Sequence, residues 1–428
     1  MSGNNALVIF GSTGDLTFQK LLPALARLQQ LAPTQCPTIF LIGRQGKTLQ
    51  DYIDYGLDHG LEMNVITPLM PKLQYVFMQA SENASYATLV PLLQPYQGRF
   101  FYLATPPSMF HLITASLHGH GLIQTGNPHH RCAYEKPFGE SGSAAQVLNA
   151  VLHEVISEQQ LYRVDHYLAK PLIQQLLKVR MQWATVGMEE TYWRGSNIAQ
   201  IHIRAHESVG ILSRGKFYDV TGALKDMVQS HLLETLALCL MDLPKRIDDV
   251  TTIQHHKVSF LDSLQPSLDE VVLGQYQGYL QELYVNPNSL TETYAWVPFT
   301  SRLPRWQGTN ITIETGKKLQ EKKTSIEIMF RDGHILTLQI APTIKVIIDQ
   351  GWLATLPQNL SQHLTKLSHH PFATEEAYVT IFSDFINGNQ TLFPSSKEIV
   401  ATWQLIDQIK QTPRLPIRYQ SIQDLGRK

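Results

Sequence analysis

The chain has 428 residues, 43% of them hydrophobic and 17% charged, and a formal net charge of −1. That length allows two or three domains around a large core. The near-zero charge excludes a nucleic-acid partner held by electrostatics, and the longest apolar run, 232–241, is broken by Glu234, so nothing reads as a membrane span. Cys36, Cys132 and Cys239 lie far apart and form no metal or disulfide pattern. They fit reduced, buried thiols, and the expected location is the cytoplasm. The start, MSGNNALVIF, enters an apolar strand directly, with no basic leader and no cleavage signal.

Residues 6–10 read as a short buried strand. Gly11-Ser12-Thr13-Gly14-Asp15-Leu16 follows, then helical spacing through Leu21, Leu22, Leu25 and Leu28. A strand, a glycine turn and a helix are the parts of a dinucleotide-binding unit, with Gly11 and Gly14 letting the backbone approach a pyrophosphate. The usual third glycine is missing, and a lone GxxG is more often an ordinary turn. A second strand, 38–42, ends at Gly43-Arg44. A basic residue there suits the 2′-phosphate of NADP, and with Arg44 and Lys47 but no acid before Asp51 the chain leans towards NADP over NAD; a solvated basic loop is the plain alternative.

Strands at 73–78 and 99–104 continue a parallel alternation of strand and helix. Thr105-Pro106-Pro107 stops the second of these at Ala104 and stiffens the sheet's carboxyl edge, where ligands bind in this architecture. Residues 131–134 form another strand before Glu135-Lys136-Pro137-Phe138-Gly139. Pro137 restrains Lys136, whose amine could meet substrate or cofactor there. The apolar stripe of 143–156 faces a core and carries no chemistry.

Arg163-Val164-Asp165-His166-Tyr167-Leu168-Ala169-Lys170 packs an acid, cations and a phenol into one turn. A helix starting near Asp165 would set His166 and Lys170 four apart on one face, close to free N–H groups that suit a phosphate. A capping role for Asp165 with solvated cations carries equal weight on periodicity alone. Further on, His202 and His206 share one face of a β-rich segment, but no third ligand has suitable spacing, so no metal is expected. Residues 220–241 read as a long apolar helix bearing Asp226, Ser230 and His231. A lone histidine there would be a satisfied core group; this one has polar company.

The last third turns to alternation. Residues 311–318 run from strand into a cationic turn, where Lys317, Lys318, Lys322 and Lys323 form a charge run that is solvated by default. Residues 325–330 and 334–340 make a hairpin around Arg331-Asp332-Gly333, and 343–347 extends the sheet. Helices follow at roughly 374–385 and 397–409, and the tail 413–428 reads as polar and irregular.

In order, GSTGDL at 11–16, residues 102–107, EKPFG at 135–139, RVDHYLAK at 163–170, Glu207, GALKDMVQSHLLETL at 222–236 and TGKKL at 315–319 resemble the glucose-6-phosphate dehydrogenase family along nearly the whole chain. The resemblance implies a Rossmann-type NADP-binding domain over 1–165. It also implies an α+β substrate domain over 166–428, with a mostly antiparallel sheet and a dimerisation surface. The implied activity is oxidation of D-glucose 6-phosphate to 6-phospho-D-glucono-1,5-lactone, the first step of the oxidative pentose phosphate pathway. NADP is the implied cofactor, with NAD as the alternative, and a homodimer or homotetramer the implied assembly.

By the same resemblance, His231 is the general base, paired with Asp165. His166, Tyr167, Lys170, Glu207, Asp226, Lys317 and Lys322 contact the sugar phosphate. Lys136 touches both substrate and cofactor. Gly11, Ser12, Thr13, Gly14, Asp15, Leu16, Arg44, Ala104, Thr105 and Pro106 hold the cofactor. The chain departs from the family pattern at Phe18, Gln19, Ala169, Pro171, Ser230 and Glu314, none of them a catalytic group; Glu314 replaces an arginine that some members use for a second, structural NADP. Two rival readings are an oxidoreductase of an unphosphorylated sugar centred on Lys136, and a paralogue that binds without turnover.

Overall fold

The computed structural model describes residues 4–44, 46–369 and 376–426. It divides into two compact units, Met1–Ala169 with Glu375–Ser396, and Lys170–Thr374 with Lys397–Lys428.

In the first unit, β1 (Asn5–Phe10), β2 (Thr38–Gly43), β3 (Leu73–Phe77), β4 (Gly98–Leu103), β5 (His130–Tyr134) and β6 (Leu161–Arg163) form one sheet in the order β3-β2-β1-β4-β5-β6. Every pairing is parallel. ALVIF in β1 and IFLIG in β2 are buried without alternation, as strands covered on both faces must be. Parallel neighbours need crossovers, and the helix Leu22–Leu31 supplies the first. The strand order reverses between β1 and β4, which opens a crevice at their carboxyl ends.

The single boundary expected after residue 165 left out a return of the chain. The helix Ala377–Asn387 packs on Leu22–Leu31 within the first unit. Arg131 donates to the carbonyls of Phe385 (2.9 Å) and Ile386 (2.6 Å), a cation at the helix's negative end. Phe385 meets Phe100 and Tyr162 at ring distances of 5.7 and 5.0 Å. Positions 374 and 375 of the expected helix lie outside the described residues.

The second unit is built on a nine-stranded sheet of β7 (Ile198–His206), β8 (Leu264–Pro266), β9 (Val272–Tyr276), β10 (Tyr294–Ser301), β11 (Asn310–Gly316), β12 (Lys323–Phe330), β13 (Ile335–Ala341), β14 (Lys345–Ile348) and β15 (Ile417–Tyr419). The order is β14-β13-β12-β7-β11-β10-β9-β15, with β8 on β10. Only β7–β11 and β9–β15 run parallel. Register aligns Ile201 with Ile311 and Ile328, and Ile203 with Ile313 and Ile326, all fully buried on one face. Each such side chain contributes about 1.5–3 kcal/mol by leaving water. The residues between them, His202, Arg204 and His206, point to the other face. The expected hairpin is β12–β13, and 343–347 corresponds to β14. The tail is not irregular: β15 adds a strand beside β9, because Tyr419 is buried among Tyr276, Tyr294 and Leu425.

Candidate active site

In the first unit the chain turns at Gly11, with φ +79°. A Cβ at that position would collide with the Ala104 carbonyl, so glycine alone lets the ends of β1 and β4 close this tightly. Gly14 N–H and Thr17 Oγ1 donate to the Gly11 carbonyl at 3.1 and 3.0 Å. Above them opens a crevice of about 360 Å³. Gly11, Thr13, Gly14, Arg44, Ala104, Thr105 and Pro106, all expected at the cofactor, line it. Met78, Ser81 and Met109 line it too; they follow strand ends and carry no motif that would have marked them. Ser12 supports the floor instead: it is fully buried, its Oγ donates to Ile42 O at 2.7 Å, and its carbonyl accepts from Tyr52 at 2.8 Å. Asp15 is exposed and Leu16 half-buried, and neither lines the crevice. Glycines at a turn beside a helix start, with a guanidinium at the end of β2, fit a dinucleotide.

Glu135 follows β5 and accepts from Tyr102 (2.5 Å) and Tyr378 (3.2 Å) on the same oxygen. Burial pushes its carboxyl up to about 7, against the pull of the two hydroxyls and Lys136. The His166 ring lies nearly parallel to Tyr378 at 6.3 Å and edge-on to Tyr167 at 5.3 Å. Tyr378 therefore links the Glu-Lys-Pro loop to the Asp-His-Tyr turn. It arrives on the returning segment, which no local signal connects to either motif. Arg163 is a buried strut, bonded to Glu158 (2.8 Å) and Asn149 (2.9 Å).

The turn after β6 corrects one expectation. Buried Asp165 accepts the Tyr167 N–H at 2.9 Å, and residues 166–169 form a turn. The helix begins only at Pro171, running Pro171–Thr185, with Lys170 as an extended N-cap (φ −67°, ψ 138°). The ring of Pro171 disfavours helical backbone at the residue before it, while its own fixed φ suits the first helical position. His166 and Lys170 thus do not share a helix face.

In the second unit, Glu207 follows β7, and its N–H donates to Gly316 O at 2.9 Å. Its carboxylate takes the Lys317 ammonium at 2.5 Å. Lys317 is 2% exposed and stands 5.3 Å from the centre of the Tyr218 ring. It is no part of a solvated run, whereas Lys322 is exposed and Lys323 pairs with Glu327 at 2.9 Å. Tyr419 donates to the Lys317 carbonyl at 2.6 Å, so the tail supports this turn. Tyr218 is fully buried, and its hydroxyl is held far above the usual phenol range by burial and by Asp226, Glu292 and Glu207. Nothing in the sequence around Tyr218 sets it apart from the other tyrosines. The expected long helix is three pieces: Gly215–Ala223, a π-helical stretch Leu224–Leu232, and Leu233–Leu240. Asp226, Ser230 and His231 all lie on the π-helical stretch and are buried.

His202 and His206 both approach one carboxylate, Glu314 on β11, at 2.9 and 3.0 Å. Arg204 Nε (3.1 Å) and the Tyr294 hydroxyl (2.9 Å) donate to the same group. Burial would raise this carboxyl, but the two imidazoles drive it well below the usual carboxylate range. Spacing along the chain could not reveal a third partner supplied by another strand. With a guanidinium already on the carboxylate, the cluster is charge-compensated and offers a metal ion little.

Two family models match the chain: "Glucose-6-phosphate dehydrogenase, NAD binding domain" over residues 8–175 and "Glucose-6-phosphate dehydrogenase, C-terminal domain" over residues 184–424. A glucose-6-phosphate 1-dehydrogenase of Dictyostelium discoideum is 32% identical, covering 96% of this chain and 90% of its own. One from Aggregatibacter actinomycetemcomitans is 31% identical, covering 95% and 90%. The crystal structure of glucose-6-phosphate 1-dehydrogenase from Mycobacterium avium superposes with a TM-score of 0.85 at 26% identity, over 97% of this chain and 94% of that one.

Proposed function

The chain belongs to the glucose-6-phosphate dehydrogenase family, and we propose that it oxidises D-glucose 6-phosphate to 6-phospho-D-glucono-1,5-lactone with NADP as hydride acceptor. The observation that carries this reading is the end-to-end match of both family models, residues 8–175 and 184–424.

Oxidation of a hemiacetal to a lactone removes a proton and a hydride from one centre. His231 takes the proton from the anomeric hydroxyl, since an imidazole titrates near neutrality. Asp165 orients that ring and stabilises its charged form. The nicotinamide, when bound, supplies the hydride acceptor, and the protein supplies alignment. Glu207 and Asp226 hold sugar hydroxyls. His166, Tyr167, Lys170, Lys317 and Lys322 contact the sugar phosphate, and Lys136 spans substrate and cofactor. The phosphate lies far from the reacting carbon, so its binding energy goes into fixing that alignment. The Lys317–Glu207 pair, with its ammonium buried and its carboxylate half-buried, supports this assignment: an ammonium paired and held on an aromatic face is fixed in place before a ligand arrives.

Arg44 at the end of β2 supports NADP over NAD. Self-association into a dimer or tetramer and a cytoplasmic location complete the reading. The latter is supported by three buried free cysteines, Cys36, Cys132 and Cys239. No helix among the described residues is long and apolar enough to cross a membrane.

Absorbance of the reduced nicotinamide, followed with glucose or glucose 6-phosphate and with NADP or NAD, tests the reading. Turnover is expected with the phosphorylated sugar and preferentially with NADP. Faster oxidation of free glucose would favour the unphosphorylated-sugar alternative, and equal efficiency with both cofactors would remove the role of Arg44.

A further inference from the structure

Asp226 and His231 are five residues apart. In an α-helix that separation is about 1.4 turns, which puts the two side chains on different faces. In the π-helical stretch Leu224–Leu232 the bonds run from i to i+5, so a turn takes more than four residues, five residues pass only a little beyond one turn, and the pair comes to neighbouring positions on one face. Such winding is rare beyond a single turn.

One residue is built to hold it. The preceding helix breaks at Gly222, with φ +68° and ψ 178°. A Cβ there would collide with the carboxylate of Glu292. That carboxylate accepts the Leu224 N–H at 3.0 Å, and the main-chain carbonyl of Glu292 accepts the Ala223 N–H at 2.9 Å. Two of the N–H groups that open the helix, which would otherwise lack partners, are thus both taken by a residue from another element. Glu292 is 8% exposed and sits two residues before β10, a strand hydrogen-bonded on both sides. Its loop is tied down again by Asp219, which accepts from Tyr279 (2.9 Å) and from the Asn286 N–H (3.0 Å).

We propose that Glu292 is a positioning residue for the oxidation. By clamping the first turn against Gly222, it sets the π-helical register that brings Asp226 and His231 to one face. This rests on the roles given to those two residues in the proposed function.

The test is a series at Glu292 with His231→Asn alongside. Glu292→Ala is expected to lower kcat about tenfold or more and to raise KM for glucose 6-phosphate, with KM for NADP unchanged, because a small misplacement of reacting groups is costly. Glu292→Gln keeps an acceptor for the Leu224 N–H and is expected to stay within about twofold of the parent. Glu292→Asp withdraws the acceptor and is expected to fall between the two, which gives the reading if the alanine variant does not fold. Parental kcat and sugar-phosphate KM in the alanine or aspartate variant would overturn the proposal. So would a glutamine variant as impaired as alanine, or a matching loss of NADP affinity. An inactive His231→Asn beside an unimpaired Glu292→Ala would remove the clamp alone, whereas an active His231→Asn would remove the base assignment and the clamp with it.

Discussion

Three residues past His231, Glu234 meets two other buried charges. Its carboxylate lies 2.6 Å from Lys257 Nζ, and Lys257 also pairs with Glu398; all three side chains are at most 2% exposed. One ammonium cannot neutralise two buried carboxylates. Burial and the neighbouring Glu398 push the Glu234 carboxyl up to about 8, against the pull of Lys257. Between its ordinary value of 4.5 and about 8, the unfolded chain has released this proton while the folded chain still holds it. Rising pH in that window therefore favours unfolding. We predict that the thermal midpoint falls from pH 5 to pH 8, and that Glu234→Gln, which carries no charge at any pH, flattens the fall. Parallel curves for the two proteins would contradict this. Lys257→Met should be destabilising by about 3–5 kcal/mol, since it strands a buried charge. In the sequence Glu234 shows only as a break in an apolar run, because its partners sit on other helices.

Among the elements, those set by local chemistry were legible and those set by distant partners were not. The β1 turn was readable because Gly11 needs positive φ and close approach, both properties of one residue. Gly11→Ala is accordingly expected to raise KM for NADP severalfold and to cost about 1 kcal/mol or more of stability, measured by steady-state kinetics and denaturant unfolding; an unchanged KM would show that the Gly11 turn does not seat the cofactor. The hairpin was readable from Arg331-Asp332-Gly333. Periodicity alone starts this helix near Asp165; the chain starts it at Pro171, whose ring holds Lys170 extended. The π-helical winding at Leu224–Leu232 has no sequence period to mark it: its apolar residues fit an α-helix nearly as well, and the winding is held from outside by Glu292. The tail strand Ile417–Tyr419 has no local signal for the same reason, since its pairing to β9 depends on a tyrosine cluster gathered from four parts of the chain.

For the molecule as a whole, alternating strands and helices announced a parallel sheet in the first part, and the family resemblance together with one clear hairpin pointed to a mostly antiparallel sheet after it. The return of residues 375–396 to the first unit was not legible, because its binding groups, Arg131 and the Phe100–Tyr162–Phe385 rings, are spread over more than two hundred positions. Of the candidate site, the gathering of Gly11, Thr13, Gly14, Arg44 and residues 104–106 around one crevice was legible; the Glu207–Lys317 pair was not, since its partners lie 110 positions apart, nor were Tyr378 and Tyr218, since an aromatic becomes a site residue only through what surrounds it. The proposed oxidation depends on an imidazole that accepts the anomeric proton. The most direct measurement is His231→Asn in the full chain, with kcat from nicotinamide absorbance and glucose 6-phosphate affinity from calorimetry. The expected result is a fall in kcat of about 10²–10⁴-fold with sugar-phosphate affinity kept within a few-fold; a variant that turns over at the parental rate would contradict it.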